Sequence, residues 1–186
     1  MLSTVLDDVR AVRRNDPAAH GWLEILLCHT PLHAVLLHRL AHWLHARLGL
    51  RLLARLVSVA SRFWTGVEIH PGARIGRGFF IDHGTGVVIG ETAVIGNHVT
   101  LYQGVTLGAK SFPKDEKGNP IKGIDRHPIV EDDVVIYAGA TILGRNVIGR
   151  GSSIGGNVWL TNGVPPGSRV TQAEARELRF EYGSGI

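Results

Sequence analysis

Residues 69–105 read "IHPGAR IGRGFF IDHGTG VVIGET AVIGNH VTLYQG V" when they are divided into groups of six. Each group begins with an aliphatic residue or alanine: Ile69, Ile75, Ile81, Val87, Ala93, Val99 and Val105. A second series has the same spacing: Val130, Ile136, Ile142, Ile148, Ile154 and Leu160. A six-residue repeat is typical of a parallel β-helix, in which three short strands form one triangular coil and the repeated aliphatic residues stack inside. The pattern therefore predicts a β-helix over residues 66–167.

The two series are out of phase with each other. The step from Val105 to Val130 is one residue longer than four groups of six, and the residues between are polar and contain Gly and Pro. We expect residues 108–128, approximately, to leave the coil as a loop. The alternative fold is an antiparallel β-sandwich, but its strands alternate with a period of two and its turns are irregularly spaced.

The residues before Gly66 have a different composition. Only Gly21 and Gly49 of the 24 glycines precede it, and apolar residues recur there at helical spacing. Asn15 or Asp16 before Pro17 predicts a helix start, and Thr30 before Pro31 predicts a second one. The sequence thus predicts an α-helical N-terminal domain at 1–65, the β-helix at 66–167 and a C-terminal tail at 168–186.

Composition narrows the class of protein. The single cysteine, Cys28, excludes an internal disulfide framework and a zinc site built from cysteines. Residues 1–65 hold eight arginines against four acids, but the arginines alternate with Leu and Ala as on an ordinary solvated helix. The N-terminus has no apolar stretch typical of a signal peptide, and no apolar run is long enough to span a bilayer. We expect a cytoplasmic protein that binds neither nucleic acid nor membrane.

The stretch "IDHGTGVVIGE", residues 81–91, carries candidate chemistry. Asp82 and His83 follow the inward residue Ile81, and Gly84 and Gly86 leave space beside them. An imidazole next to a carboxylate in an open corner suits general-base catalysis. A single surface histidine is more often inert, so this interpretation depends on the neighbouring Asp82, Gly84 and Gly86.

Four segments together resemble one family: "RNDPAAHGWLEILL", "EIHPGARIGRGFFIDHGTGVVIGETAVIG", "TLYQGVTLG" and "DRHPIVEDDVVIYAGATILG". Over about residues 8–170 the chain resembles serine O-acetyltransferase. The resemblance implies a left-handed parallel β-helix with an α-helical N-terminal cap. It also implies transfer of an acetyl group from acetyl-CoA to the hydroxyl of L-serine, the first step of cysteine biosynthesis from serine.

By this resemblance His83 is the general base, and Glu68 is the carboxylate that orients it. The family usually has Asp in "DIHP", where this chain has "EIHP", so the charge is kept but the reach is longer. The acids that bind the serine ammonium correspond to Asp16 and Asp82. The serine carboxylate would be bound by Arg126 and His127, since an Arg fork suits a carboxylate.

The resemblance also places acetyl-CoA, which is a co-substrate; no permanent cofactor and no metal are implied. Gly108 and Ala109 occupy positions where the family usually has two glycines near the pantetheine arm. Ala138 matches a position beside pantetheine, and Lys110 or Lys114 would meet the CoA phosphates.

Partners follow from the resemblance as well. It implies a homotrimer, with a dimer of trimers as a further option, and L-cysteine as feedback inhibitor. A C-terminal segment that ends in Ile186 resembles the tail with which many members dock on O-acetylserine sulfhydrylase (cysteine synthase).

Two other functions remain open at the level of the sequence. A related hexapeptide acetyltransferase would use a sugar amine or hydroxyl as acceptor, but it would not need Asp16 together with Arg126 and His127. A metal-carrying β-helix like the γ-carbonic anhydrases would need three histidines one coil apart. The spacings of His70, His83, His98 and His127 do not match whole coils of 18 residues.

Overall fold

A computed structural model of the chain describes residues 2–172. Its N-terminal part consists of four helices: α1 (Leu2–Asn15), α2 (Trp22–Cys28), α3 (Thr30–Ala46) and α4 (Arg51–Thr65). Helix α4 ends at Gly66, whose φ of 71° allows the chain to turn out of the helix. In this part of the chain, no helix is both long and apolar enough to cross a membrane.

Fourteen short strands follow the helices. They are β1 (Glu68–Ile69), β2 (Arg74–Ile75), β3 (Phe80–Ile81), β4 (Val88–Ile89), β5 (Val94–Ile95), β6 (Thr100–Leu101), β7 (Thr106–Gly108), β8 (Ile129–Val130), β9 (Val135–Ile136), β10 (Thr141–Leu143), β11 (Val147–Ile148), β12 (Ser153–Ile154), β13 (Trp159–Leu160) and β14 (Arg169–Val170).

From β1 to β13, successive strands enter three sheets in rotation. The first sheet contains β1, β4, β7, β10 and β13, the second β2, β5, β8 and β11, and the third β3, β6, β9, β12 and β14. All the strand pairs are parallel. The aliphatic residues of the strands fill the space between the sheets, for example Ile89, Leu107 and Ile142 of the first sheet, which are fully buried. The predicted parallel β-helix is therefore confirmed, and its core is the stack of coils. Its predicted end at residue 167 is wrong, because β14 pairs with β12 and continues the third sheet.

The predicted register is wrong at one corner. Strand pairing aligns Ile69 with Ile89 and Ile81 with Leu101, so the counterpart of Ile81 in the next strand is Ile89 and not Val87. Two extra residues lie in the corner between β3 and β4, where His83, Gly84 and Gly86 all have positive φ.

The insertion does not disturb the repeat of six in the sequence, because each side of a coil buries two residues, one in the strand and one at the corner. Val87 and Val105 lie two positions before an inward strand residue and are themselves fully buried at the corners. After an insertion of two residues, the series with a spacing of six passes from the buried strand residues to the buried corner residues. The spacing of apolar residues along the sequence therefore stays at six.

The loop leaves the coil between β7 and β8 and spans residues 109–128. Within it an isolated antiparallel bridge pairs Lys114 with Pro120. The Asp115 carboxylate accepts hydrogen bonds from the backbone N–H groups of Lys117 (2.9 Å) and Asn119 (2.8 Å), which closes the turn.

The helices are attached to the first coil by a buried ion pair. Asp8 of α1 is fully buried, and its carboxylate accepts from Arg39 of α3 at 3.0 and 3.2 Å and from the backbone N–H of Phe79 at 3.1 Å. Arg39 also donates to the carbonyl oxygens of Ile75 and Gly76. Two helices and one corner of the coil thus share a single hydrogen-bonded cluster.

The predicted helix start at Asn15 or Asp16 is wrong, whereas the second is confirmed, since α3 begins at Thr30; only its N-cap residue differs from the prediction. Asn15 is the last residue of α1, and Asp16 lies in the following turn, where its carboxylate accepts from the backbone N–H of Ala18 at 2.8 Å. The N-cap of α3 is His29, whose Nδ1 accepts from the N–H of Leu32 at 3.1 Å, whereas Thr30 is already helical. Asx residues stabilise turns as well as helix starts, so the pattern was ambiguous. The predicted docking residue Ile186 lies outside the described residues.

Candidate active site

Asp82 and His83 lie in the enlarged corner between β3 and β4. His83 has a φ of 59°, in the left-handed region, and its side chain is 72% exposed. Its Nε2 lies 3.9 Å from Oδ1 of Asp82. The two extra residues therefore present an imidazole and a carboxylate together at the surface of the coil.

Asp16 and Asp82 lie close to one histidine, His29. Nε2 of His29 is 3.8 Å from Oδ2 of Asp16, and the ring centroid of His29 is 6.0 Å from that of Phe80. Burial lowers the pKa of His29, while the negative charges of Asp16 and Asp82 act in the opposite direction. A cavity of about 160 Å³ opens beside Asp16. Two carboxylates at one site suit an ammonium group.

Two tyrosines occupy the positions on the next two coils that are equivalent to that of Asp82. Asp82, Tyr102 and Tyr137 each follow the last residue of a strand of the third sheet. The two rings stack, with centroids 5.1 Å apart. Burial, followed by the charge of Asp82, raises the pKa of Tyr102. Sequence reasoning missed both tyrosines, because their alignment with Asp82 depends on the two-residue insertion.

Glu68 lies at the same edge of the first sheet as His83. The backbone N–H of Gly86 donates to the carbonyl of Gly66 at 3.0 Å, which brings the enlarged corner next to the start of β1. The Glu68 carboxylate itself pairs with Arg62 of α4 at 2.9 Å. Within residues 2–172, the carboxylate paired with His83 is that of Asp82, at 3.9 Å.

Arg126 and His127 lie at the opposite edge of the first sheet, where the loop rejoins the coil. Arg126 Nη2 donates to Oε2 of Glu91 at 2.7 Å. The His127 ring lies against Gly90, where an added Cβ would be 2.0 Å from the ring, so this position requires glycine. Burial lowers the pKa of His127, as does the positive charge of Arg126.

Three further residues hold this second cluster, and sequence reasoning missed them. Glu91 pairs with Arg126, and Thr92 bonds to both Arg126 and His127. Arg145 donates to the carbonyl oxygens of Thr92 (2.7 Å) and His127 (3.1 Å). Glu91 is the last residue of the motif that contains His83 and Thr92 directly follows it, but their contacts cross the loop and leave no local signal.

The residues that we expect near CoA are divided between the two edges of the first sheet. Gly108 ends β7, and an added Cβ there would lie 2.8 Å from Cδ2 of Leu143. Ala109 is half-buried and Lys110 exposed at the start of the loop, on the side of Arg126. Ala138 directly follows Tyr137, on the side of His83.

The predicted site residues of one chain therefore form two groups, at the two edges of its first sheet. One contains Asp16, Asp82, His83 and Ala138, and the other contains Arg126, His127 and Gly108–Lys110. Across residues 2–172, no three His, Cys, Asp or Glu side chains are grouped so that they could hold a metal ion.

Comparison with known proteins supports one family. No family model matches the chain. A plasmid-encoded serine acetyltransferase of Synechococcus elongatus is 62% identical over 96% of this chain, which spans 56% of that relative's length. A serine acetyltransferase of Mycobacterium tuberculosis is 51% identical over 91% of this chain and 70% of its own length.

Solved structures agree with these relatives. Soybean serine acetyltransferase in complex with serine superposes with a TM-score of 0.82 at 41% identity, over 94% of this chain and 68% of that one. A serine acetyltransferase in complex with CoA gives 0.82 at 37% identity, over 94% and 68% of the two chains. Isoform 3 from Entamoeba histolytica, in complex with cysteine, gives 0.82 at 37% identity, over 96% and 60%. The chain belongs to the serine acetyltransferase family.

Proposed function

We propose that the chain transfers the acetyl group of acetyl-CoA to the hydroxyl of L-serine, giving O-acetyl-L-serine and CoA, as the first step of cysteine biosynthesis from serine. The observation that carries the proposal is the corner in which His83 lies beside Asp82, while Asp16 pairs with His29, on which the charge of Asp82 also acts. This arrangement offers one base and two carboxylates to a small amino acid.

In the proposed reaction, His83 takes the proton of the serine hydroxyl while the oxygen attacks the thioester carbonyl. The C–S bond then breaks, and the same imidazolium returns the proton to the departing thiolate. A carboxylate stabilises the imidazolium while it carries that proton. We assign this role to Glu68, once it is released from Arg62, or to Asp82, which lies 3.9 Å from His83.

We propose that the ammonium of serine is bound by Asp16 and Asp82 and its carboxylate by Arg126 and His127. The division of these residues between two edges of one sheet supports a homotrimer, in which the edge of one chain meets the other edge of its neighbour. We further propose that the β-helix is left-handed, as the family resemblance implies.

The helical domain supports further association of trimers. Helix α4 exposes apolar side chains at helical spacing, with exposed fractions of 75% for Leu52, 57% for Leu56, 56% for Val59 and 95% for Phe63. Such a stripe favours contact with another copy. The mass in solution distinguishes a trimer from a dimer of trimers.

We also propose that L-cysteine inhibits at the serine site, because it offers the same ammonium and carboxylate. Competition of cysteine with serine in steady-state kinetics tests this. Docking of the C-terminal segment on O-acetylserine sulfhydrylase stays a prediction from the resemblance. Loss of co-elution of the two enzymes after deletion of Ile186 would support it.

The activity itself is tested by release of CoA thiol from acetyl-CoA in the presence of L-serine, with and without a chelator. The proposal predicts a serine-dependent rate that the chelator leaves unchanged. A rate with glucosamine but not with serine would favour a sugar acceptor. Chelator-sensitive hydration of CO₂ would favour a metal-carrying enzyme.

A further inference from the structure

We infer that Thr92 is a positioning residue for the pair Arg126–His127: it fixes the backbone of both residues and holds the His127 ring with its Nε2–H free to donate. The inference rests on the proposed function, in which this pair binds the carboxylate of the acceptor amino acid. Thr92 lies in the corner between β4 and β5, directly below the point where the loop rejoins the coil.

The Thr92 hydroxyl oxygen is a shared acceptor for the end of the loop. It accepts from the backbone N–H of Arg126 at 2.9 Å and from that of His127 at 3.1 Å. The hydroxyl therefore fixes the position at which the loop presents its two side chains.

Thr92 also determines which nitrogen of His127 carries the proton. The backbone N–H of Thr92 donates to Nδ1 of His127 at 3.1 Å, and Oγ1 lies 2.9 Å from the same atom. A backbone N–H can only donate, so Nδ1 must present its lone pair. In the neutral ring the proton then lies on Nε2, which becomes a hydrogen-bond donor.

Arg145 and Glu91 also hold Thr92, Arg126 and His127 in place. Arg145 binds the carbonyl oxygens of Thr92 and His127, at 2.7 and 3.1 Å. Glu91 holds the Arg126 guanidinium at 2.7 Å. Because the backbone of Thr92 is fixed by Arg145, removal of the hydroxyl alone tests the contribution of the side chain.

The experiment compares Thr92→Val, which loses the hydroxyl but keeps the shape, with Thr92→Ser, which keeps the hydroxyl. Thr100→Val on β6 is the matched control, because the Thr100 hydroxyl makes no side-chain hydrogen bond within residues 2–172 and the residue is half-buried in the third sheet. Loss of two to three hydrogen bonds predicts a rise in KM for serine of roughly tenfold to a hundredfold in Thr92→Val. KM for acetyl-CoA should change less than about threefold, and Thr92→Ser and Thr100→Val should stay near the parent.

A second measurement does not depend on activity. ¹⁵N NMR of the His127 ring in the unmodified protein should show an unprotonated Nδ1 and a protonated Nε2 at neutral pH. A protonated Nδ1, or a folded Thr92→Val protein with the parent's KM for serine, would overturn the inference. If the parent does not acetylate serine, the proposed function fails, whereas the NMR signature still tests the unprotonated Nδ1 that the contacts of Thr92 require. If Thr92→Val does not fold, the protonation of the His127 ring in the unmodified protein still tests the inference.

Discussion

His83 and His98 have almost the same local geometry. Both adopt a left-handed backbone, with φ of 59° and 55°, and both lie beside a carboxylate, Asp82 at 3.9 Å and Asp133 at 3.6 Å. They differ in surroundings. The charge of Asp82, beside His83, also acts on His29 and on Tyr102, whereas His98 lies in the corner between the second and third sheets. The neighbours, and not the His–Asp pair itself, identify the candidate base.

This pair of histidines provides a controlled test. Asparagine tolerates the left-handed conformation, so His83→Asn removes the base with little backbone strain. We expect kcat for serine acetylation to fall by at least roughly a hundredfold, the usual contribution of a general base. The matched variant His98→Asn should keep the parent's kcat. A folded His83→Asn protein that retains more than about a tenth of the parent's kcat would remove His83 from this role.

The sequence predicted some site residues and not others, for a physical reason. Asp82 and His83 are adjacent in one motif, so a local pattern was sufficient. Thr92 and Glu91 act through Arg126 and His127, which are 34 to 35 residues away and reach them only because β5 pairs with β8 across the loop. Such contacts become visible only when the register of the coils is known.

At the scale of elements, the buried Asp8–Arg39 pair holds α1 and α3 on the first coil. Arg39→Met leaves the Asp8 carboxylate buried without its cation, and loss of one partner of a buried pair costs about 3–5 kcal/mol. The exposed pair Arg10–Asp7, at 3.5 Å, is a control on the same helix. Arg10→Met should change the free energy of unfolding by less than about 1 kcal/mol.

Urea unfolding at one fixed protein concentration measures both variants, since association also affects stability. Equal midpoints for Arg39→Met and Arg10→Met would show that the pair does not hold the helices. The sequence did not reveal this pair, because Asp8 and Arg39 are 31 residues apart and both residue types are ordinarily exposed.

A buried histidine of α3, His38, should make the stability of the protein depend on pH. His38 is 3% exposed, and burial, with the charges of Arg39 and His42, lowers its pKa to about 3. An unfolded histidine binds a proton below about pH 6.5. Between these values the unfolded state holds more protons, so the free energy of unfolding falls as the pH falls from about 7 towards 3.

Replacement of His38 by Gln should reduce this slope by up to about one proton. Urea unfolding at several pH values between about 7 and 4 measures the slope. The control is His20→Gln, the same substitution at an exposed histidine outside the helices. A parent-like slope in His38→Gln would mean that His38 already binds its proton in the folded protein.

At the scale of the whole molecule, the sequence predicted the architecture better than the register. The repeat of six was sufficient for a β-helix because every coil side buries a strand residue and a corner residue. The same redundancy concealed the enlarged corner at His83, where the spacing from Ile81 to Ile89 is two residues longer than from Ile89 to Ile95. The family is confirmed by relatives at 62% and 51% identity.

The division of the site between two edges of one sheet predicts that variants complement each other in mixed oligomers. His83 lies before β4 and Arg126 contacts Glu91 after β4, so one chain does not bring both side chains to one point. If neighbouring chains form the site together, His83→Asn and Arg126→Ala subunits co-expressed in one cell create some sites with both residues intact. Random mixing in a cyclic trimer makes about a quarter of the sites complete.

The measurement uses two different affinity tags and purifies only oligomers that carry both. At a serine concentration near or below the parent's KM, these should acetylate serine at a substantial fraction of the parent rate, although each variant alone is nearly inactive there: His83→Asn lacks the base, and Arg126→Ala binds serine weakly. The double variant His83→Asn with Arg126→Ala, co-expressed with the parent, controls for expression and mixing. If doubly tagged oligomers are no more active than the two separate variants, each chain must build its site alone, and Arg126 must then reach His83 by a movement of residues 109–128.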